Sequence, residues 1–263
     1  MKKRMLIALG LTAISAGAAD WQKSVSSAKP GPFPALRPLR AQYEFGWGMV
    51  SAATGEFDFS RQSGGGLRLA VQAKTVGVPR SLWRLDLQHT AVAQAATLRP
   101  LSVNQVEVYD DETLTTKLTF DSSGVARLRE SRPPAAKPAK VKNFKFPGLH
   151  DLHTALLWVR SQPLQTGQTC RFVVYPTVAP YLAEVTVVGR PKLTAAGRKY
   201  DTIKLELKLR RIGKSQKLEP HKKFKKAFAW ISDDPDRLLL RVEAEIFVGS
   251  VWAELETVEF TSR

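Results

Sequence analysis

The sequence predicts a mainly antiparallel β fold, as a sheet curled around one principal helix or as an incompletely closed half-barrel. Three observations carry that expectation. Apolar and polar residues alternate with period two along most of the chain, as in Tyr43, Phe45, Trp47 and Met49 against Gln42, Glu44, Gly46 and Gly48. Clusters of Gly, Ser and Asp interrupt the alternation where hairpins need tight reversals. One stretch alone, opening at Asp151, carries its apolar residues at helical spacing.

Lys2, Lys3 and Arg4 precede the apolar run Met5 to Ile14 and small residues through Ala19, the three-part layout of a secretory signal peptide. Residues 1–19 are therefore expected to be a leader, cleaved after Ala18 or Ala19, and the run is too short to remain as a spanning helix. No cysteine follows that site to carry an acyl anchor. The expected product is a soluble chain in the periplasm or outside the cell. Residues 20–38, rich in Ser, Pro and Gly, read as a flexible segment, and residues 39–263 as a single β-rich domain. The lone Cys170 has no partner within the chain for a disulfide, so stability must come from burial.

Within the domain, Phe57 and Phe59 sit on a second strand, Gly64, Gly65 and Gly66 reverse the chain, and Leu67, Leu69, Val71 and Ala73 form a third. Alternation continues through Trp83, Leu85, Leu87, His89 and Ala91, then from Leu114 to Phe120, a turn at Asp121 to Gly124, and a return strand from Val125. Pro133, Pro134 and Pro138 among lysines predict an exposed loop. Asp151 caps a helix with Leu152, Ala155, Leu156 and Val159 on one face, Arg160 in its last turn and Pro163 beyond it. Strands resume at Cys170, Phe172 and Val174. Ile203, Leu205, Leu207 and Leu209 alternate with Lys204, Glu206, Lys208 and Arg210, and a three-strand meander from Trp230 closes the chain.

The formal net charge is +16, and Lys208, Arg210, Arg211, Lys214, Lys217, Lys222, Lys223, Lys225 and Lys226 lie close together. Such a surface favours anionic partners, and export argues against nucleic acid as the physiological one. No stretch after the leader has membrane-spanning length. The catalytic signatures tested are missing: there is no Gly-x-Ser-x-Gly elbow, Cys170 lies among Arg171, Phe172 and Val173 as a small buried hydrophobe, and Gly64 to Gly66 lack the lysine and helix of a phosphate loop. No enzyme activity and no cofactor are expected. His150 and His153 flank the helix start, where two imidazoles three residues apart can share a metal, but no further ligand stands nearby in sequence; the reading adopted is an Asp151 cap with exposed histidines beside it. Asp233, Asp234 and Asp236 lack the later glutamate of a calcium loop and read as a turn.

Tyr43-Glu44, Trp47-Gly48 and Gly55-Glu56, then Asp151-Leu152 and Gly167-Gln168, then Trp230-Ile231-Ser232-Asp233-Asp234-Pro235 leading to Arg241-Val242-Glu243 and Gly249-Ser250-Val251, occur in the order and spacing of a bacterial exported family. Over Leu39 to Phe260 the chain resembles the family known as domain of unknown function 3108. The resemblance implies an extracytoplasmic compartment and a fold similar in outline to periplasmic lipoprotein carriers, but no established activity. The basic stretch Lys222 to Lys226 stands apart from the motifs that carry it.

Two functions fit these observations. In the first, Trp47, Met49, Phe57, Leu69 and Trp83 converge with Leu156 on a partly open cavity for an amphipathic anionic lipid or envelope molecule, with Lys222, Lys223, Lys225 and Lys226 steering its head group. In the second, a non-enzymatic interaction module docks its basic face on an acidic polymer or protein. The sequence leaves the oligomeric state open.

Overall fold

The computed structural model describes residues 20–26, 29–33, 36–132, 139–220 and 226–261. The leader 1–19 and Lys222, Lys223 and Lys225 lie outside the described residues. In chain order the strands are β1 (Leu39–Trp47), β2 (Val50–Gln62) and β3 (Gly66–Thr75); a short helix α1 (Gly77–Leu82); β4 (Asp86–Gln94), β5 (Arg99–Val108), β6 (Thr113–Phe120), β7 (Gly124–Arg132) and β8 (Lys140–Lys145); the principal helix α2 (Leu152–Ser161); then β9 (Thr169–Val174), β10 (Tyr181–Gly189), β11 (Lys192–Ala195), β12 (Arg198–Ile212), β13 (Leu218–Pro220), β14 (Lys226–Ser232), β15 (Leu239–Glu245) and β16 (Ser250–Phe260).

All of them belong to one antiparallel sheet in the order β8-β7-β6-β5-β4-β3-β2-β1-β16-β15-β14-β12-β10-β9, with β11 and β13 paired to β12. Strands β1 to β8 each pair with the next in a meander, β1 pairs with β16, and the sheet continues through β15, β14, β12, β10 and β9. Period-two alternation places Leu39, Ala41, Tyr43 and Phe45 on one face of β1, opposite Phe59, Phe57, Gly55 and Ala53 of β2. That face turns inward: Leu39, Ala41, Phe59, Leu67, Leu240 and Leu255 form one buried cluster with Leu157 of α2.

No ladder is described between β8 and β9, so the sheet is curled and not closed. Side chains join its two ends instead. Phe120 and Val125 from β6 and β7 share a cluster with Val173, Leu182 and Ile212 from β9, β10 and β12. Phe146 stacks on Phe144 of β8 and on Trp21, and Phe144 also meets Tyr175 just beyond β9. The outer edge of β9, a row of backbone groups that needs partners, is covered. His150 donates its backbone N–H to Val173 O at 2.9 Å and accepts from Tyr175 N at 2.7 Å, while Ser26 N donates to Arg171 O at 2.7 Å.

Several described residues of the segment 20–38 make specific contacts. Arg171 N donates to Ser26 Oγ, Gly31 N to Ser161 Oγ and Gln162 Nε2 to Lys29 O, and the Arg37 guanidinium grips both carboxylate oxygens of Asp236.

Candidate binding interior and its rim

α2 occupies the inside of the curl toward the turns that join β2 to β3, β4 to β5 and β14 to β15. Ala155, Trp158 and Val159 pack on Cys170, Phe172, Val185, Ile203 and Ile231, while Leu157 faces the cluster built on β1 to β3. The helix is buried almost all round, not on the single face that the sequence indicates; Leu152, assigned to that face, is exposed, and His153, Thr154 and Arg160 are buried. A helix enclosed by a sheet has little solvent face left, so its polar residues must go inside.

They are handled by local bonding. Asp151 caps the helix: its carboxylate accepts from Thr154 N at 2.8 Å, and Asp151 N donates to Thr154 Oγ1 at 3.1 Å, a reciprocal capping box. Burial pushes the Asp151 carboxyl up. The histidines beside it are not exposed as the sequence reading had them. His150 packs against Trp158 and Phe172, and His153 against Phe59. Desolvation pushes His150 down to about 4, with Arg99 adding repulsion, and His153 down to about 3, with His89 and Arg160 adding repulsion. Neither His150 Nδ1 nor His153 Nε2 has a hydrogen-bond partner. Among the described residues no group of three or more His, Cys, Asp or Glu is arranged to hold a metal ion.

At the other end of α2, two buried arginines lock the helix to the β14–β15 turn. Arg237 donates to the carbonyls of Arg160, Gln162 and Pro163, and Arg160 donates to those of Asp236 and Arg237. Arg237 also lies over the Phe33 ring. These donors satisfy carbonyls that the helix terminus leaves without partners. Burial pushes both guanidinium groups down to about 10. Asp234 shapes the turn by accepting from Ser232 Oγ, Asp236 N and Arg237 N at 2.8, 2.9 and 3.0 Å, and Asp233 pairs with Arg190. The acidic cluster is a turn, as its spacing indicated.

Toward the opposite end α2 no longer fills the curl. The inward side chains there are apolar or small, and many are only partly buried: Phe45, Ala53, Phe57 and Ala73 on β1 to β3, Val242, Val251 and Ala253 on β15 and β16, and Leu207 and Leu209 on β12. Gly55 belongs to this wall; a Cβ there would press on Phe45, Phe57 and Ala73 at 3.0 to 3.3 Å. Further round, on β4 to β7, the inward face becomes polar. His89 Nδ1 lies 3.0 Å from Gln105 Oε1, Arg129 faces Glu107 at 3.9 Å, and Tyr109 donates to Glu107. The open half of the curl therefore has an apolar wall and a polar wall.

The rim of this open half collects the loops between β1 and β2, β3 and β4, β5 and β6, and β15 and β16, as the registers require. Of the residues singled out from sequence, Phe57 and Leu69 face the interior, Phe57 packed edge-on to Tyr43 at 4.8 Å and Leu69 against the cluster of Ala91 and Val103. Trp47, Met49 and Trp83 do not converge with Leu156 on α2; they stand on the rim at 52, 101 and 55 % exposure. Alternation gives the face of a residue but not its height along the strand; Trp47 ends β1, Met49 lies in the turn after it, and Trp83 follows α1. Lys226 opens β14 beside the same rim, paired with Glu245. Sequence reasoning missed Val78, Leu82, Phe247 and Val248, all exposed on the same loops. A cleft of about 400 Å³ lies between Leu82, Trp83 and Arg84 and the β5–β6 turn Tyr109 to Glu112.

The sequence signature of the family described as "Protein of unknown function (DUF3108)" matches residues 42–256. The chain belongs to this family. Among curated proteins none matches significantly. Among solved structures, a β-barrel-like protein of the domain of unknown function DUF1849 from Brucella abortus is similar over 87 % of this chain and 100 % of its own, with 10 % identity and a TM-score of 0.55. This likeness concerns the fold alone. An exported protein with a YmcC-like fold from Bacteroides fragilis, so described on provisional grounds, aligns over 86 % of this chain and 98 % of its own at 10 % identity, TM-score 0.37. A chain given the same provisional standing as a lipoprotein, from Parabacteroides distasonis, covers 88 % and 100 % at 7 % identity, TM-score 0.32. No helix among the described residues is long and apolar enough to cross a membrane.

Proposed function

We propose that this DUF3108 protein is an exported binding protein that takes an amphipathic anionic molecule, a lipid or lipid-linked envelope component, into the open half of its curled sheet. The observation that carries the reading is the partly exposed inner wall of Phe45, Ala53, Phe57, Ala73, Val242, Val251 and Ala253, which α2 leaves uncovered. An apolar surface that the protein's own core does not fill gains by covering it with an acyl chain, at roughly 25 cal/mol per Å² removed from water. The small residues Ala53, Ala73 and Ala253 leave volume that bulkier side chains would occupy. The polar wall at His89, Gln105 and Arg129 supplies groups suited to an anionic head, and Lys208, Arg210 and Lys226, exposed on the outer face of the sheet, add a positive field. Export is supported by the layout of residues 1–19.

Titration with a dansyl-labelled undecanoic acid tests the reading. Saturable binding with a blue-shifted emission is expected, and Ala73→Phe with Ala253→Phe, which place bulk on the apolar wall, should abolish it while leaving the circular dichroism spectrum in place. Absence of binding by the wild-type chain, or equal binding by the filled variant, would overturn it.

A further inference from the structure

We infer that the rim of the open half docks on the surface of a bilayer that contains anionic lipid, inserting its loop tips among the head groups. The inference rests partly on the proposed function, since it places a membrane at the mouth of the same interior. Its own support is the distribution of exposed apolar side chains along the sheet. Phe247 is 87 % exposed, Leu82 83 % and Met49 101 %, and all three stand on loops at one end. Those loops follow one another along the sheet order β4-β3-β2-β1-β16-β15, so the tips form a continuous arc. A run of large apolar tips in water is costly for a chain that keeps them in water, whereas scattered single ones are ordinary.

The arc is built as a platform. Trp47 Nε1 donates to Val248 O at 2.8 Å and Trp252 Nε1 donates to Gly48 O at 2.9 Å, so two indoles tie the β1–β2 hairpin to the β15–β16 hairpin. Indoles with an apolar body and a satisfied N–H suit the depth of lipid head groups. Charge chooses among occupants. The arc continues into β14 and β12, where Lys226 and Lys208 are exposed beside it, Lys208 near Glu206 at 3.2 Å, and Arg210 and Arg211 are exposed further along β12. Beyond it, Arg80 and Arg84 share the single carboxylate of Asp86. The acidic residues Asp110, Asp111 and Glu112 lie on the β5–β6 turn, on the far side from the basic strands. Apolar tips bordered by basic residues complement an anionic lipid surface, and the far acidic turn sets a tilt toward β12.

Co-sedimentation with vesicles of phosphatidylethanolamine and phosphatidylglycerol in a three-to-one ratio tests this, against vesicles of phosphatidylcholine alone. The wild-type chain should partition at least tenfold more strongly onto the anionic vesicles, and added salt should weaken it. Met49→Ser with Phe247→Ser should reduce partitioning tenfold or more, Lys226→Gln several-fold, and Leu101→Ser, an exposed position toward the opposite end, not at all. Retention of the dansyl fatty acid by the Met49→Ser, Phe247→Ser chain would show that it is folded and would separate docking from interior binding. Equal partitioning by the rim variants and wild type overturns the inference. So does a concentration-dependent dimer in sedimentation velocity that Met49→Ser and Phe247→Ser abolish, since the rim would then meet a second copy. Loss of fatty-acid binding in the filled interior with vesicle docking retained would supports the docking surface by itself and leaves it standing.

Discussion

Replacing His150 and His153 together by leucine should remove most of the acid sensitivity of the fold between pH 6.5 and 4.5. Both imidazoles are buried against aromatic rings, with folded values of about 4 and about 3 against an ordinary value of 6.5. The unfolded chain therefore binds more protons than the folded one below pH 6.5, and stability falls as pH falls. It is fully present above 6.5 and drains away down to the folded values. At about 1.4 kcal/mol per pH unit for each group, lowering the pH to 4.5 costs about 2.5 kcal/mol per histidine and about 5 kcal/mol for the pair. Asp151 acts in the opposite direction. Its raised value means that the folded state takes up a proton first, so acid restores part of the loss above pH 3.8. Asp86 and Asp121 have lowered values, and their contributions fade only below 3.8. Urea unfolding at pH 7.0, 5.5 and 4.5, followed by tryptophan fluorescence, measures the slope. The wild-type chain should lose several kcal/mol across the range and the double variant little. A flat wild-type profile, or a double variant that falls as steeply, would refute the burial of these rings as a source of acid instability.

Two further perturbations probe other parts of the structure. Arg237→Met should cost about 2–4 kcal/mol in thermal unfolding, because it strips donors from the carbonyls of Arg160, Gln162 and Pro163 while Arg160 stays buried beside them; a cost below about 0.5 kcal/mol would contradict the lock between α2 and the β14–β15 turn. Gly46→Val should displace the Trp252 indole, which covers the place a Cβ would take, costing about 1–3 kcal/mol and changing the near-ultraviolet circular dichroism; an unaltered aromatic spectrum would show that the indole does not cover Gly46.

The strand faces were legible because burial on one side enforces period two, as on β1 and β12, and the cap at Asp151 was legible because its chemistry is local. The family was legible from the order of short motifs, which the fold places partly within strands and partly at the Asp151 cap and the turns near Gly48, Asp234 and Gly249. What the sequence could not supply was long-range placement. The pairing of β1 with β16 joins residues about 200 positions apart and has no local signature. It also decides that Trp252 covers Gly46 and that Trp47 reaches the carbonyl of Val248. His150 and His153 were misplaced because a polar residue at a helix start is ordinarily solvated, and only the enclosing sheet makes this helix an exception. Trp47, Met49 and Trp83 were rightly noticed as large apolar residues, but whether they lay in the interior or on its rim depended on where α2 ends.

Native mass spectrometry of the protein purified from its own envelope fraction, without detergent exchange, bears most directly on the central claim that the open half of the sheet holds an amphipathic molecule. A population carrying an added mass is expected, released by organic solvent, identifiable as a lipid or lipid-linked component, and missing from the Ala73→Phe, Ala253→Phe chain. Bare protein throughout, with the interior variant indistinguishable from wild type, would contradict it.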